Sequence, residues 1–371
     1  MENRNRLIFL DILRAIGVML MIEGHTLDAV LSPLYRDGST FMFQLWTFFR
    51  GLTAPFFFFS AGLAFVVATV KNDFGGLSIS NRTKSRRIRR IATLLLLGYG
   101  LHFPLELLYE PSGVPSYNLK IFFYVDALHV ISLSLLVILV IALFAKKAEA
   151  LLRSYVIAAV LSLAIAPVVE PIRWENFLAP FFYSYLTFRS GSFFTFFPFS
   201  AYLFAGASFG AASLTMPIES RSRALSGNFM KASIVSLLLF LVFFPIQLLF
   251  VSLYVDYWRA LPAINFLRFG IVGLVASMVG YLSLKVRHFP KIIPALGRNS
   301  LTIYVVHLMV VYGSPINLGL TQLIPEGTNS AVAILLVVGV VSSMVGMVYG
   351  IEAYKVRKRK IEVITVSEIA K

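Results

Sequence analysis

The sequence predicts an all-α protein, a polytopic bundle of about ten membrane-spanning helices. Two observations support this fold class. First, 58% of the 371 residues are hydrophobic and only 14% are charged, and the mean hydropathy of +0.81 is too high for a water-soluble globular domain. Second, apolar windows of roughly spanning length recur from one end of the chain to the other. They lie near 8–30, 50–70, 91–108, 121–144, 154–169, 194–214, 232–253, 265–284, 300–313 and 330–352.

The windows differ in their flanks and in what they carry. The first follows basic residues, as a secretory signal would, but it contains Asp11 and Arg14 and has no small-residue cleavage site, so we expect a retained span. Basic or polar segments separate the windows that follow, and the ninth window is short. The sixth contains residues 206–210, which match G-x-S-x-G. Since no predicted strand precedes them, the pattern indicates packing of small residues between helices and not a nucleophile elbow.

The distribution of basic residues predicts that both termini are cytoplasmic. With the spans numbered alternately, 25 of the 33 Lys and Arg residues fall on one side, which the positive-inside rule assigns to the cytoplasm. The opposite segments hold only Arg36, Lys120, Arg173, Arg189 and Arg259. The net charge of +15 is therefore a topology signal, and it gives no evidence for a nucleic-acid partner. The partner it indicates is the lipid bilayer.

No soluble domain is expected beside the bundle. Residues 1–371 are predicted to form a single transmembrane domain, with a basic cytoplasmic tail at 355–371. The longest outer segment, near 170–193, is expected to cap the bundle at the membrane interface. The chain has no cysteine, which excludes disulfides, thiolate metal sites and a cysteine nucleophile.

Ionisable residues inside the first window point to a functional site, because charge within a membrane span is costly. Arg14 and His25 are eleven residues apart, which places them on one helical face about 16 Å apart along the axis. We expect His25 near the outer surface and Arg14 in the inner half, with Asp11 and Glu23 in the same span. Two plainer interpretations stay open: His25 as an interfacial residue, and Asp11 with Arg14 as an ion pair at spacing three.

A second group of ionisable residues lies in the third and fourth windows. Asp126 and His129 are three residues apart, close enough to hydrogen-bond, and His102 and Glu106 are four apart. We expect these residues and His25 to converge on one outward-facing cavity. Hydrogen bonding between helices is the alternative for both pairs.

Arginines near the inner ends of the spans and a histidine in the ninth window are two further candidates. Arg14 and the run containing Arg87, Arg89 and Arg90 are expected to face inward and to attract anions, although the run is also a topology determinant. His307 lies about 10 Å from the inner end of its window, so we expect it to lie far from His25 and to serve packing.

These residues resemble the signatures of two families of membrane acyltransferases, the type-three family and the heparan-alpha-glucosaminide N-acetyltransferase-like family. The first-span signature is Leu10-Asp11 with Arg14, followed by His25. Further similar segments are Arg50 with 54–62, the basic run at 86–90, and 126–133, 196–206 and 296–307. The similarity covers nearly the whole chain, and 126–133 and 196–206 look closer to the second family.

The resemblance implies an acyl-CoA donor, expected to be acetyl-CoA, on the cytoplasmic side and a sugar or glycan acceptor on the far side. An imidazole can take the proton of an acceptor or attack the thioester itself, and arginines can bind the oxyanion and the phosphates. The expected catalytic residues are His25, Asp126, His129 and Arg14. The expected donor-binding residues are Arg14, Arg87, Arg89 and Arg90, with Asp11, Glu23, Arg50, His102 and Glu106 in support and no metal.

Several alternatives stay open. In the lysosomal enzymes of the second family the catalytic histidine belongs to the first luminal loop, whereas His25 ends a span, so a covalent acyl-histidine and direct transfer are both retained. The rival function is a secondary transporter of an anionic or sugar-like solute, which would use the same buried charges as a relay. A noncatalytic scaffold is the third. We expect a multi-pass protein of a bacterial cytoplasmic membrane and leave open whether it forms a homo-oligomer.

Overall fold

The structure is a computed structural model that describes residues 7–73, 76–103, 120–251, 260–286, 289–314 and 317–369. In chain order the helices are α1 (Ile8–Val30), α2 (Phe41–Arg50), α3 (Thr53–Val67), α4 (Asn81–Leu101), α5 (Ala127–Phe144), α6 (Ala148–Val169), α7 (Pro180–Tyr183), α8 (Phe196–Ser213), α9 (Arg221–Val251), α10 (Pro262–Lys285), α11 (Ile292–Arg298), α12 (Ser300–Tyr312), α13 (Leu320–Leu323) and α14 (Ser330–Ile369). Short 3-10 turns occupy Pro33–Tyr35, Trp174–Asn176 and Phe188–Ser190. Strands β1 (Lys71–Asp73) and β2 (Gly76–Ser78) pair antiparallel.

The all-α prediction is confirmed, since the structure is 78% helical with almost no strand. Each of the ten apolar windows contains an α-helix. Within the described ranges, six helical segments are long and apolar enough to cross a membrane: Phe41–Val67, which comprises α2 and α3, Ala127–Phe144, Ala148–Val169, Arg221–Leu248, Pro262–Lys285 and Ser330–Lys358. The count of ten spans and the cytoplasmic placement of both termini stay predictions.

Several helices begin or end outside the predicted windows. The third window was placed at 91–108, but α4 begins at Asn81, inside the basic segment, and ends at Leu101. Ser80 starts this helix, because its hydroxyl accepts a hydrogen bond from the Thr83 backbone nitrogen at 3.3 Å. The fourth window was placed at 121–144, whereas α5 begins after Asp126. The last helix continues past 352 to Ile369.

The chain divides into two compact units, which we describe separately. The first consists of Met1–Thr53 and Lys285–Lys371. Within it, α11, α12 and α14 pack against α1. The approach of α11 is very close, because a Cβ atom on Gly297 would lie 2.0 Å from the backbone oxygen of Asp11. Beyond α1, Leu31 and Ala333 are buried in one cluster, and the Ser32 backbone nitrogen donates to the Thr328 oxygen at 3.0 Å.

A polar clamp holds α14 to the α11–α12 junction in the same unit. The Glu352 carboxylate accepts from Arg298 at 3.0 Å and from Asn299 at 3.1 Å. The Lys355 ammonium donates to Glu352 at 2.8 Å and to Asn299 Oδ1 at 3.1 Å. Since Glu352, Asn299 and Lys355 each take part in more than one of these bonds, this level of α14 is fixed against the start of α12.

The second unit, Ala54–Leu284, is organised by a close crossing of α3 and α8. A Cβ atom on Gly62 would lie 1.9 Å from the Leu203 oxygen, and one on Gly206 would lie 1.9 Å from the Phe59 oxygen. Gly210 meets the same helix one turn later, at Leu63 and Val66. The interpretation of 206–210 as small-residue helix packing is therefore confirmed. Helix α8 also packs along α6, and α4 packs on α5, where the Ser132 hydroxyl donates to the Ile91 oxygen at 2.8 Å.

Candidate functional site

The first candidate group surrounds His25, in the last two turns of α1. Helix α1 is continuous from Ile8 to Val30, so Arg14 and His25 share one helix as predicted. The His25 ring is half-buried between two other rings of the same unit. It meets His307 edge-on, with centroids 5.3 Å apart and an interplanar angle of 81°, and Tyr312 at 5.8 Å and 75°. His25 thus lies in an aromatic pocket formed with α12.

His307 is fully buried and has a defined tautomer. Its Nδ1 lies 2.8 Å from the Ile303 backbone oxygen. A carbonyl oxygen can only accept, so Nδ1 carries the proton and Nε2 of the neutral ring holds a lone pair. Nε2 of His307 and Nδ1 of His25 are both buried without a hydrogen-bond partner among the residues that the structure describes. Two nitrogens of neighbouring imidazoles are therefore available to act.

The expected separation of His307 from His25 was wrong, and the helix packing gives the reason. The prediction assumed that α12 starts at the membrane surface. Instead, Gly297 contacts the Asp11 backbone, so α12 begins one turn along α1. His307 lies ten residues beyond Gly297 and His25 fourteen beyond Asp11, which are rises of about 15 and 21 Å. These rises differ by only about one helical turn, and the two rings are in contact.

Charged residues frame the group one turn beyond His25. The Arg50 guanidinium forms an ion pair with the Asp28 carboxylate and lies over the Trp46 ring, 5.1 Å from its centroid. The Trp46 indole nitrogen in turn donates to Glu23 at 2.6 Å. Glu23 and Arg50, both predicted to support the site, therefore belong to one network on α1 and α2.

Asp11 and Arg14 lie in the N-terminal half of α1. Asp11 is buried, and its backbone is covered by Gly297, while Arg14 is half-buried. This placement agrees with an anion-binding role for Arg14, which is three helical turns before His25 on the same helix. The role itself stays a prediction.

The second candidate group is built around the start of α5, in the other unit. Asp126 is the N-cap of α5, and its Oδ1 accepts from the backbone nitrogens of Leu128 at 2.8 Å and His129 at 3.1 Å. The same oxygen lies 2.7 Å from Nδ1 of His129, and the two side chains are almost fully buried. The predicted hydrogen bond between Asp126 and His129 is therefore present. Nδ1 of His129 lies between this oxygen and the Asp126 backbone nitrogen, which is 3.2 Å away; with the proton on Nδ1 facing the carboxylate, Nε2 is the basic nitrogen.

Three aromatic rings enclose His129. Tyr99 meets it edge-on with centroids 4.3 Å apart, and the His102 ring is parallel to it at 6.0 Å. Tyr185 lies at 6.3 Å, with its hydroxyl 3.3 Å from that of Tyr99. Gly98 makes room for the ring, since a Cβ atom there would lie 2.7 Å from it. Nε2 of His129 and Nδ1 of His102 are buried without partners in the described part of the chain.

This second group also has the composition of a metal site. One donor atom each from His102, Asp126 and His129 lies within 4.8 Å of the others, and such a set can hold a divalent cation. Oδ1 of Asp126, however, already accepts two backbone hydrogen bonds and faces Nδ1 of His129. We therefore favour acid–base chemistry here, and the absence of a metal stays a prediction.

A buried polar loop supports the start of α5. The Val125 backbone nitrogen donates to Ser192 Oγ at 3.0 Å, and the Val125 oxygen accepts from the backbone nitrogens of Phe193 and Phe194 at 3.1 Å. Gly191, which comes just before Ser192, has a φ of 97° and lies against Tyr124, where a Cβ atom would meet the ring at 2.5 Å. The predicted interfacial segment 170–193 thus fixes the residue that precedes Asp126.

The arginines of the basic run at the start of α4 differ in their surroundings. Arg87 donates to the Ala68 oxygen at 2.6 Å and lies over the Phe65 ring at 5.4 Å, so it covers the end of α3. Arg89 and Arg90 are exposed. Glu106, the predicted partner of His102, lies outside the described residues. That the His25 and Asp126 groups share one cavity also stays a prediction.

The sequence analysis missed the ring neighbours of each group. Tyr312 and His307 border His25, and Tyr99 and Tyr185 border His129. One available signal was spacing, because Gly98 and His102 are four residues apart on the helix that meets His129. The neighbours on α12 and in the 170–193 segment come from distant parts of the chain, and no local pattern marks them.

Comparison with known proteins gives one match. The model of the type-three acyltransferase family, described as an acyltransferase domain, matches residues 7–348. No curated protein and no solved structure matches this chain. The matched range includes both candidate groups and the basic run. The likeness of 126–133 and 196–206 to the heparan-alpha-glucosaminide N-acetyltransferase-like family stays a prediction.

Proposed function

Because this chain belongs to the type-three acyltransferase family, we propose that it transfers an acyl group, expected to be acetyl, from a cytoplasmic acyl-CoA to a sugar or glycan beyond the membrane. Multi-pass membrane insertion agrees with the family and with its apolar helices. We place the protein in a bacterial cytoplasmic membrane. The secondary transporter is not favoured by this membership.

The observation that carries the proposal is the position of His25. Its imidazole is half-buried among rings, on the same continuous helix as Arg14, with an ion pair of Asp28 and Arg50 one turn beyond. A neutral imidazole in such a place can accept the proton of an incoming hydroxyl or amine. A largely dry setting also strengthens the attraction of nearby cations for a developing oxyanion.

The proposed reaction has two routes that use the same residues. In direct transfer the acceptor oxygen or nitrogen attacks the thioester carbonyl, His25 takes its proton, the C–S bond breaks and the CoA thiolate leaves with a proton. In the covalent route a His25 nitrogen attacks the thioester carbonyl, the C–S bond breaks and CoA leaves as the thiol. The acceptor hydroxyl or amine then attacks the acyl-histidine, the acyl–nitrogen bond breaks and the acceptor's proton passes to the released imidazole. In both routes Arg14, about 16 Å from His25 along the axis of α1, binds a CoA phosphate together with the basic run.

We assign Asp126 and His129 a supporting acid–base role. Asp126 holds Nδ1 of His129 and would stabilise the imidazolium that forms when Nε2 takes a proton. The same geometry serves a purely structural helix cap. Substitution separates the two roles, as described in the Discussion.

The test uses purified protein in proteoliposomes with radiolabelled acetyl-CoA. The wild type is expected to release CoA and to label a glycan acceptor, and His25→Ala is expected to lose at least about 100-fold in turnover, the range of general acid–base catalysis. Thermal stability is measured on the same preparations. Wild-type turnover by a folded His25→Ala protein would remove His25 from the chemistry and make Asp126 and His129 the leading candidates.

A further inference from the structure

The neighbour of His25 has properties that the proposed reaction needs and no residue so far supplies. A histidine base must keep one nitrogen unprotonated and aimed at the acceptor, so its other nitrogen needs a group that accepts a hydrogen bond. The two nearest carboxylates along α1 already have partners, because Glu23 accepts from Trp46 and Asp28 is paired with Arg50. The Nδ1 atom of His25 is buried and has no partner among the described residues.

We propose that His307 is the positioning residue of His25: Nε2 of His307 accepts the hydrogen bond of Nδ1–H of His25 and leaves Nε2 of His25 as the reacting nitrogen. This inference rests on the proposed function, since it assigns His307 to the same site. His307 acts through His25 and does not itself touch the substrate.

The tautomer of His307 makes it suited to this role. Its Nδ1–H is bound to the Ile303 oxygen, so Nε2 can only accept. The proton positions therefore follow in one chain, from the Ile303 carbonyl through His307 to His25. Because Ile303 is a backbone acceptor within α12, the first link is present whenever that helix is formed.

The distance between the rings fits such a bond. Two imidazoles joined by a linear N–H···N hydrogen bond of about 2.9 Å have centroids about 5.2 Å apart, once the distance from each nitrogen to its ring centre is added. The observed centroids are 5.3 Å apart. Both nitrogens are buried and unpartnered among the described residues, so the bond is not formed in this geometry, and the proposal requires the His25 ring to turn about its Cβ–Cγ bond until Nδ1 faces Nε2 of His307.

A neutral orienting group also differs from a carboxylate in its effect. Aspartate beside histidine stabilises the protonated imidazolium electrostatically, whereas neutral His307 orients the ring without adding negative charge. His25 then returns its proton readily to the leaving thiolate. The second group, in which Asp126 holds His129, has the opposite character.

The experiment compares His307→Phe, which keeps ring bulk and removes the acceptor, with His307→Gln, whose amide oxygen can accept in place of Nε2. We expect His307→Phe to lower kcat by about 10-fold or more, with an unchanged KM for acetyl-CoA and unchanged thermal stability. His307→Gln should recover part of kcat. In the His25→Ala background His307→Phe should cause no additional loss, because its effect passes through His25.

A second readout does not depend on turnover. In 15N-histidine-labelled protein in liposomes, magnetic resonance should report His25 protonated at Nδ1 in the wild type and protonated at Nε2 in His307→Phe. An unchanged His25 tautomer would overturn the role of His307 even if kcat falls. Full kcat in His307→Phe would overturn it as well. If His25→Ala itself keeps turnover, the proposed function of His25 fails, and the tautomer measurement still decides whether His307 holds the ring.

Discussion

Arg50 reaches Asp28 by lying directly across Gly24. A Cβ atom on Gly24 would come within 2.9 Å of Cγ of Arg50, and the guanidinium beyond it forms the ion pair with Asp28. The glycine before His25 therefore serves the placement of an arginine from α2. Because glycine has no Cβ, the Arg50 side chain can cross α1 at Gly24. The ion pair beside the His25 pocket therefore depends on glycine at this position.

The first prediction follows from this crossing. Gly24→Val should displace the Arg50 stem, break its ion pair and lower acyl-transfer turnover about as much as Arg50→Ala does. The double variant with Gly24→Val and Arg50→Ala should lose no more turnover than Arg50→Ala alone, because both changes remove the same ion pair. Gly339→Val on α14 is the matched control, since nothing lies within 4 Å of that position. Additive losses would show that Gly24 acts independently of Arg50.

The second prediction concerns the donor. Arg14→Ala and Arg87→Ala should each raise the KM for acyl-CoA by about 10-fold, the value of one charge-assisted hydrogen bond. Arg87→Ala should also lower thermal stability, because Arg87 covers the end of α3 at Ala68. Titration with acyl-CoA and thermal denaturation on the same samples separate the two effects. Wild-type donor binding in both variants would show that these arginines do not bind the donor and serve only membrane topology and helix packing.

A third prediction separates chemistry from capping at α5. Asparagine is as good an N-cap as aspartate, so Asp126→Asn should keep the fold and donor binding. It removes the charge that would stabilise protonated His129, and turnover should fall by about 100-fold. Asp126→Ala, which also removes the cap, should in addition lower the unfolding free energy by about 1 kcal/mol. If turnover per folded molecule survives in Asp126→Asn, the carboxylate serves only the helix.

The fourth prediction is a dependence of stability on pH in the loop that supports α5. Glu170 is buried at the end of α6, and burial raises its pKa from 4.5 to about 7, against hydrogen bonds from Thr187 and Phe188 and the charge of Arg189. The folded protein therefore holds this proton to a higher pH than the unfolded chain. Stability should fall as the pH rises from about 4.5 to about 7.

Thermal denaturation in detergent between pH 5 and pH 8 tests this dependence. Glu170→Gln cannot ionise and keeps an oxygen to accept from Thr187, so it should flatten the profile and raise the melting temperature at pH 8. Glu175→Gln, an exposed change in the same segment, should leave the profile as in the wild type. A parallel fall in Glu170→Gln would assign the dependence to other groups.

Hydropathy predicted where helices form but not where each begins. Long apolar runs need internally bonded backbone in lipid, so all ten windows contain helix. Starts are set by side-chain caps, which hydropathy does not measure: Ser80 and Asp126 each start a helix away from the predicted boundary.

Local spacing predicted pairs within one helix and failed between helices. The shared helix of Arg14 and His25 and the bond of Asp126 to His129 follow from periods of the α-helix. The meeting of His25 and His307 depends on the depth at which Gly297 touches Asp11, a backbone contact between distant parts of the chain.

The length of α14 has a consequence for the basic residues that follow its apolar part. At 40 residues the helix is about 60 Å long, roughly twice the thickness of the hydrocarbon core. The clamp at Glu352 and Lys355 fixes it to α12, and the helix then continues for about 20 Å to Ile369. The basic residues at 355–360 are therefore carried on helical backbone. Because the clamp holds α14 against the start of α12, the direction of this basic segment is set by that contact.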